Sequence, residues 1–288
     1  MDVHPLGPMA EGLRPALQSG PVKDLVRRAL EEDGAFRDLT GPIAGDRPAR
    51  GRFIAKQDLV VCGLGVAAEV FRRTGARFVP RSSDGRAAKK GATLATVTGP
   101  ARRVLAGERV ALNFLQRLSG VATLTRKFVA LARPAEVYDT RKTTPGLREL
   151  EKYAVRCGGG HNHRMGLHDG VMIKDNHIRA VDDTEKLREK VYELAARKVP
   201  IVIEAQTLEE ALLFATFPGD VLMLDNFSLP LLRRAVRLVK GMRPGLPIEA
   251  SGGVTLRTVR AVARTGVDRV SVGALTHSAP AVDVSLEL

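Results

Sequence analysis

From residue 137 onward the chain repeats one pattern: a short, nearly continuous apolar run ending in polar residues, usually followed by a stretch with helical spacing. The runs are VYDTRK at 137, VMIKDN at 171, IVIEAQ at 201, VLMLDN at 221, IEASGG at 248 and RVSVGA at 269. Between them lie residues 182–198, TLEEALLFATF, LPLLRRAVRLVKGM and LRTVRAVARTG, all helical by period. Thr207 and Glu210 form a capping box for one of these helices, and Gly266 stands at the end of another. Strands buried on both faces read as continuous apolar runs, so this rhythm predicts an α/β architecture with a parallel sheet covered by helices. Six strands are visible where a complete barrel has eight. A closed or partly open TIM-like barrel is favoured over a doubly wound sheet, since no GxGxxG follows a first strand.

The first part of the chain follows a different pattern. Residues 1–20 are rich in Gly and Pro and read as a loose start, and Val22 to Glu32 has helical spacing. GRFIAKQDLVVCG and ATLATVTGPARR read as short strands around turns, with AAEVFRRTG a helix between them and Lys89-Lys90-Gly91 a turn. A helix is predicted from Gly107 to Gly120, bridging the two parts, and a second in LTRKFVALARP, stopping at Pro134. At 288 residues the chain is long enough for one large domain or two unequal ones.

Parallel βα barrels carry their chemistry at the C-terminal ends of the strands. Here those ends hold Arg141-Lys142, Lys174-Asp175-Asn176, Glu204, Asp225-Asn226, Ser251-Gly252-Gly253 and Gly273. One strand-end acid alone would be an ordinary cap or solvated charge; six polar ends on apolar strands converge on one mouth. Arg141, Arg164, Lys142 and Lys174 supply donors for carboxylates and phosphates. Glu204 and Asp225 can hold ribose hydroxyls, directly or through Mg²⁺, or stabilise a cationic transition state at a sugar carbon. The Ser251–Val254 and Ser271–Ala274 turns each precede a predicted helix, as phosphate-gripping turns do.

The densest cluster is Asp139 to His177, where Arg141, Lys142, His161, His163, Arg164, Lys174 and His177 sit among glycines and short apolar runs. A solvated charged face would not be interrupted this way, so the stretch predicts a pocket for a small, highly anionic substrate. His161 and His163 could suggest zinc, but spacing places no third ligand. Hydrogen bonding to an anionic ligand suits His163, capping of the Gly-rich turn suits His161, and a structural role suits His177. Cys157 reads as a small buried residue. The formal charge of +13 and pI near 10.2 fit attraction of small anions as well as a basic surface. Nucleic acid is disfavoured, with 4% aromatics, no Trp and no Lys/Arg tail. Two cysteines make no disulfide framework, the N-terminus has no signal-like apolar core, and no run approaches the roughly 18–20 apolar residues of a membrane span. A cytoplasmic protein is expected.

Several of these stretches together carry a resemblance. GERVALNFLQRLSGVAT, DTRKTTPGLRELEKYAVRCGGGHNHRMGL, VMIKDNH, IEAQTLEEA, LMLDNF, IEASGGV and RVSVGALTHSAPAVDVSLEL are similar to the motifs of the quinolinate phosphoribosyltransferases, over most of residues 51–288. The resemblance implies the type II phosphoribosyltransferase fold: an N-terminal α/β sandwich domain (1–117), an incomplete TIM-like α/β barrel (118–276), and a tail (277–288) packing back on the first domain. It implies transfer of phosphoribosyl from phosphoribosyl pyrophosphate to quinolinate with Mg²⁺, releasing nicotinate mononucleotide, pyrophosphate and CO₂ in NAD biosynthesis. It implies a homodimer or higher oligomer, with no nucleic-acid or membrane partner. Arg141, His163 and Arg164 resemble the family's dicarboxylate cradle, with Thr140 and Lys174 close by, and Arg109 the arginine contributed across the subunit interface. Lys142, Lys174, Glu204 and Asp225 resemble the catalytic residues on the phosphoribosyl pyrophosphate and Mg²⁺ side. Ser251, Gly252 and Gly253, with Ser271, Val272, Gly273 and Ala274, resemble the 5-phosphate grip. The chain departs from the family pattern at Arg37–Gly41 and at His168-Asp169-Gly170. Two other readings stay open: a paralogous transferase for another acid, associated with molybdate transport, and a non-catalytic barrel that binds anions or nucleic acid.

Overall fold

The computed structural model describes residues 19–181 and 183–288, so most of the Gly/Pro-rich start lies outside the described residues. The chain forms two compact units, and the division is not a single cut. One unit comprises Met1–Arg126, Thr143–Gly159 and Leu275–Leu288; the other comprises Lys127–Lys142 and Gly160–Ala274.

The first unit opens with α1 (Gly20–Glu32), capped by Ser19, whose Oγ accepts from the Val22 N–H at 3.3 Å. It buries Val22, Val26 and Leu30, one stripe at four-residue spacing. After a single turn, α2 (Gly41–Ala44), come β1 (Pro48–Ala55), β2 (Leu59–Val60), α3 (Leu64–Thr74), β3 (Arg77–Pro80), β4 (Ala87–Ala88) and β5 (Thr93–Pro100). With the C-terminal β12 (Val284–Glu287), the longer strands form an antiparallel sheet in the order β12-β1-β5-β3. Phe53 of β1 meets Phe71 of α3 and Phe78 of β3 edge-on, at 5.8 and 5.5 Å between centroids, and Phe71 stacks on Phe78. β3, with its RFVP sequence, is a strand that apolar patterning does not reveal.

The two helices expected between Gly107 and Pro134 are one continuous helix, α4 (Ala101–Ala132). Glycine inside a helix is usually a weak point, but Gly120 is where the C-terminal segment crosses. A Cβ there would stand 2.1 Å from the Pro280 carbonyl oxygen. The crossing is pinned by Arg117, which donates to the carbonyls of Ala279 (2.7 Å) and Thr276 and to Glu151 of α5 (Arg148–Cys157) at 2.5 Å. Glu151, fully buried, also accepts from the Thr144 N–H at 2.9 Å and hydroxyl at 2.8 Å. This fixes the chain two residues after Lys142.

The second unit holds the six strands of the sequence pattern: β6 (Glu136–Tyr138), β7 (Val171–Ile173), β8 (Ile201–Ala205), β9 (Val221–Asp225), β10 (Ile248–Ser251) and β11 (Arg269–Ser271). All neighbours are parallel, in the order β6-β11-β10-β9-β8-β7. That order is sequential round a circle, with β6 joined to β11 and the gap between β6 and β7. An incomplete barrel is the result. On its open side β6 is paired by His161, whose N–H donates to the Val137 carbonyl at 2.8 Å while its own carbonyl accepts from Asp139 at 3.0 Å. His161 is therefore a bridge residue rather than a cap of the glycine turn. The intervening helices are α6 (Asp175–Val181), α7 (Thr184–Ala195), α8 (Leu208–Phe214), α9 (Leu229–Met242), α10 (Val259–Ala263) and α11 (Ala274–His277). The capping box at Thr207 and Glu210 is formed as the spacing predicts.

Candidate active site

Successive residues of a strand face opposite ways, and residues in register across parallel strands face the same way. The pairing therefore sorts the barrel's interior into rows. The floor is apolar, with Met172, Val202, Val221 and Met223 packed together. A row of mixed charge runs from β6 to the end of β7: Glu136, Arg269, Glu249, Met223, Glu204, Lys174. Nearest the strand ends lie Tyr138, Ser271, Ser251 and Asp225. Four of the predicted site residues (Glu204, Asp225, Ser251 and Ser271) thus share one face, and Lys174, just after β7, reaches it through Glu204.

Lys174 Nζ bonds Glu204 Oε2, and Glu204 is only 4% exposed. Asp225 accepts from the side-chain amide of Asn226 at 2.7 Å, and Asn226 N–H donates to the Ser251 carbonyl at 2.9 Å. This draws the ends of β9 and β10 so close that a Cβ on Gly252 would lie 2.2 Å from Asn226 Oδ1; Gly252 has φ +97°. Gly252 and Gly253 turn the chain away from β10, but α10 begins only at Val259, so this turn does not lead straight into a helix. The Ser271-Val272-Gly273 turn does, with α11 starting at Ala274, and the buried Ser271 hydroxyl has no hydrogen-bond partner among the described residues.

The remaining predicted cations belong to the loop side. Thr140, Arg141 and Lys142 follow β6, and the Thr140 hydroxyl accepts from the Lys142 N–H at 3.0 Å. Asp139, fully buried, accepts from the His163 N–H at 2.8 Å and the Asn162 amide at 2.5 Å. His163 Nε2 lies 2.8 Å from Glu249 Oε1. Arg164 donates through Nη1 to the Gly170 carbonyl at 2.9 Å, while its buried Nε has no partner among the described residues. Burial, and then repulsion from Arg141, lower the pKa of Arg164. Two guanidinium groups held within each other's field favour an anion between them.

His163 and Arg164 line a cavity of about 690 Å³ with Tyr138, Arg269 and the N-terminal ends of β7, β8 and β9 (Val171, Ile201 and Val221), a lining that does not include Lys174, Glu204 or Asp225. Arg269 lies over the Tyr138 ring at 4.9 Å, and His161 stacks on the same ring. Arg109 sits exposed on α4, in the first unit. His177 accepts from the Lys174 N–H at 3.1 Å, and Cys157 is buried. Among the described residues no group of three or more His, Cys, Asp or Glu side chains is placed to hold a metal, and no helix is long and apolar enough to cross a membrane. Sequence reasoning assigned no role to Asp139, Tyr138, Glu249 or Arg269. Period-two alternation from Ser251 would have found Glu249; nothing local distinguishes Asp139 from an ordinary strand-end acid.

The chain matches the quinolinate phosphoribosyl transferase N-terminal domain over residues 29–119 and the C-terminal domain over residues 121–287. It is 39% identical to the probable nicotinate-nucleotide pyrophosphorylase [carboxylating] of Bacillus subtilis, covering 93% of each chain. It is 38% identical to the chloroplastic nicotinate-nucleotide pyrophosphorylase [carboxylating] of rice, Oryza sativa subsp. japonica, covering 95% of this chain and 79% of the relative. Among solved structures, the nicotinate-nucleotide pyrophosphorylase of Francisella tularensis superposes with a TM-score of 0.86 at 37% identity, over 93% of this chain and 95% of that one.

Proposed function

The chain belongs to the quinolinate phosphoribosyltransferase family, and from that premise we propose that it transfers phosphoribosyl from phosphoribosyl pyrophosphate to quinolinate with decarboxylation. The products are nicotinate mononucleotide, pyrophosphate and CO₂, a step of NAD biosynthesis. The observation that carries the reading is that His163 and Arg164 line one cavity, while the charge of Arg141 helps to lower the pKa of Arg164. A planar dicarboxylate is the kind of anion that such a pair can hold by both ends.

In this mechanism Arg141, Arg164 and His163 bind the two carboxylates, with Thr140 fixing the turn that carries Arg141. The ring nitrogen is thereby aimed at the ribose C1. The N–C1 bond forms as the C1–pyrophosphate bond breaks, through a transition state with positive charge on the sugar carbon. Glu204 and Asp225, on the barrel's inner face, stabilise that charge, and Lys142 and Lys174 draw out the leaving pyrophosphate. The ring nitrogen is now cationic. The bond from ring C2 to its carboxylate breaks to release CO₂, and the electron pair left on C2 takes a proton. Positioning does most of the work, so no nucleophile–base pair is needed. Ser251, Gly252 and Gly253, with Ser271, Val272, Gly273 and Ala274, are assigned to the 5-phosphate.

Glu204 and Asp225, two carboxylates on one face of the sheet, suit Mg²⁺, which keeps much of its shell for phosphate oxygens and water. Held by Glu204 and Asp225, it would offset the charge of pyrophosphate. Arg109, exposed on α4, is assigned to the neighbouring subunit's site in a homodimer or larger oligomer. A cytoplasmic location goes with substrates too highly charged to cross a bilayer unaided.

The test is product formation by the purified chain from phosphoribosyl pyrophosphate with quinolinate, and separately with nicotinate. Nicotinate mononucleotide with equimolar CO₂ from quinolinate alone is the expected result. Turnover of nicotinate, or of neither acid, would refute the reading.

A further inference from the structure

Arg117, in the middle of α4, joins stretches of chain that lie far apart in sequence. Its Nη1 donates to the Ala279 carbonyl at 2.7 Å, and its Nη2 to the Thr276 carbonyl of α11. Nε and Nη2 both reach Glu151 Oε1 on α5, at 3.2 and 2.5 Å, and Nη2 also reaches the Thr144 hydroxyl at 3.3 Å. Glu151 in turn accepts from Thr144 twice, the hydroxyl on Oε1 and the N–H on Oε2. One guanidinium and one carboxylate therefore meet at Thr144. A planar fork of N–H groups suits this many acceptors, where a lysine would offer a single point charge.

Stability alone gives little reason for this cluster. Glu151 is fully buried and the Arg117 side chain is 25% exposed. A charge pair taken out of water loses much of its attraction to desolvation, and apolar residues of similar volume often do as well. What apolar packing cannot do is fix where two backbones lie. The stretches fixed here have one thing in common. Thr144 follows Lys142 by two residues, and Thr276 follows Ala274 by two. Lys142 is assigned to the leaving pyrophosphate, and Ala274 ends the turn assigned to the 5-phosphate. Little slack separates Lys142 from Thr144, since the Lys142 N–H is bound to the Thr140 hydroxyl and the Thr143 hydroxyl accepts from Arg148 at 3.0 Å. The loop of His163 and Arg164 is tied elsewhere, through Asp139, Gly170 and Asp169.

We propose that Arg117 and Glu151 are positioning residues for the donor side of the reaction: bound to each other, to Thr144 and to Thr276, they set the spacing between Lys142 and the Ser271–Ala274 turn. The assignment of those groups to phosphoribosyl pyrophosphate rests on the proposed function; the cluster itself does not. The experiment compares R117K, E151Q, the double variant, T144V and T144S with wild type. It reads melting temperature, steady-state kinetics in each substrate for the folded fraction, and hydrogen exchange without ligands. R117K keeps the charge and loses the fork. It should lower kcat/KM for the donor about tenfold, the scale of one charge-assisted hydrogen bond, and leave the quinolinate KM within about threefold. T144V, which loses only a hydroxyl, should cost about threefold in the same ratio, and T144S should restore it to within about twofold. Adding R117K to E151Q should cost less than about threefold more, because the two act as one unit. Residues 142–146 and 274–279 should exchange faster together in R117K and in E151Q. A lower melting temperature with unchanged donor kinetics would make the pair merely structural and overturn the proposal. Equal rises in both KM values, or faster exchange confined to one of the two segments, would overturn it too. If R117K and E151Q do not fold, T144V against T144S decides, and wild-type donor kinetics in T144V sink the idea. Failure of the wild type to consume phosphoribosyl pyrophosphate would instead refute the functional reading, leaving hydrogen exchange to judge the cluster.

Discussion

The strand-borne and loop-borne parts of the candidate site are built by different means. Glu204, Asp225 and Ser251 stand where the ladder of parallel strands puts them, and Lys174, the residue after β7, bonds Glu204. Arg164 and His163 stand on irregular chain, held by separate ties: Asp139 to the His163 N–H, Gly170 to the Arg164 guanidinium, and Asp169 to the N–H groups of Met165 and Gly166 at 2.5 and 2.8 Å. The strand half cannot move without breaking a sheet, whereas the loop half can be loosened one tie at a time. The reacting sugar carbon is assigned to the rigid half and recognition of the acid to the adjustable half, an arrangement that allows the acid's pocket to vary without disturbing the chemistry.

Lys174→Ala is the most severe way to test that division. It removes the cation from the strand half and leaves the nearly buried Glu204 without its partner. A fall in kcat of about 10²–10³ is expected, as for loss of one preorganised electrostatic group. Rate measurements showing a change confined to quinolinate KM would break the comparison. Next in size is Arg164→Ala, with a rise in quinolinate KM of about 10- to 150-fold from one lost charge-assisted partner. A collapse of phosphoribosyl pyrophosphate binding instead would mean the half-sites are exchanged. The smallest effect concerns Asp169. Burial, the largest influence, pushes its carboxyl up, but the Gly166 and Met165 N–H groups together outweigh it and the net pKa is lowered. A lowered folded-state pKa contributes stability that is present above the unfolded value near 3.9 and lost as pH falls through the folded value. Quinolinate affinity should therefore show no loss from this loop between about pH 8 and 5, and a modest loss only below about pH 4. Asp169→Asn should remove that acid limb in a binding titration; an unchanged limb would place the titrating group elsewhere.

The contrast also explains what could be read from sequence. All six strands of the second unit stand where apolar runs end in polar residues, and Glu204 and Asp225 follow from those ends. Alternation from Ser251 adds Glu249, which lies within its strand rather than at the end. The loop half was legible only as a density of cations, because ties such as Asp139 to His163 span residues with no shared period. In the first unit, β3 is four residues with little apolar signal, and α4 looked like two helices because the reason for tolerating Gly120 lies in the distant Pro280 carbonyl. Arg109 shows a different limit: nothing in a single chain makes an exposed helix arginine distinctive.

The pairing of β6 with β11 has a consequence for how the protein is made. The first strand of the barrel finds one of its partners in the last, Glu136 opposite Arg269, and β1 of the other sheet waits for β12, with Arg52 opposite Glu287. Both sheets thus depend on contacts of long sequence separation, whose loop-closure entropy is met before the contacts reward it. On the ribosome, the barrel sheet cannot complete before β11 emerges, nor the other sheet before β12, and until then β6 and β1 each present an unpaired edge. Removal of β12 alone should therefore yield a chain that collects in inclusion bodies rather than a shortened, folded enzyme.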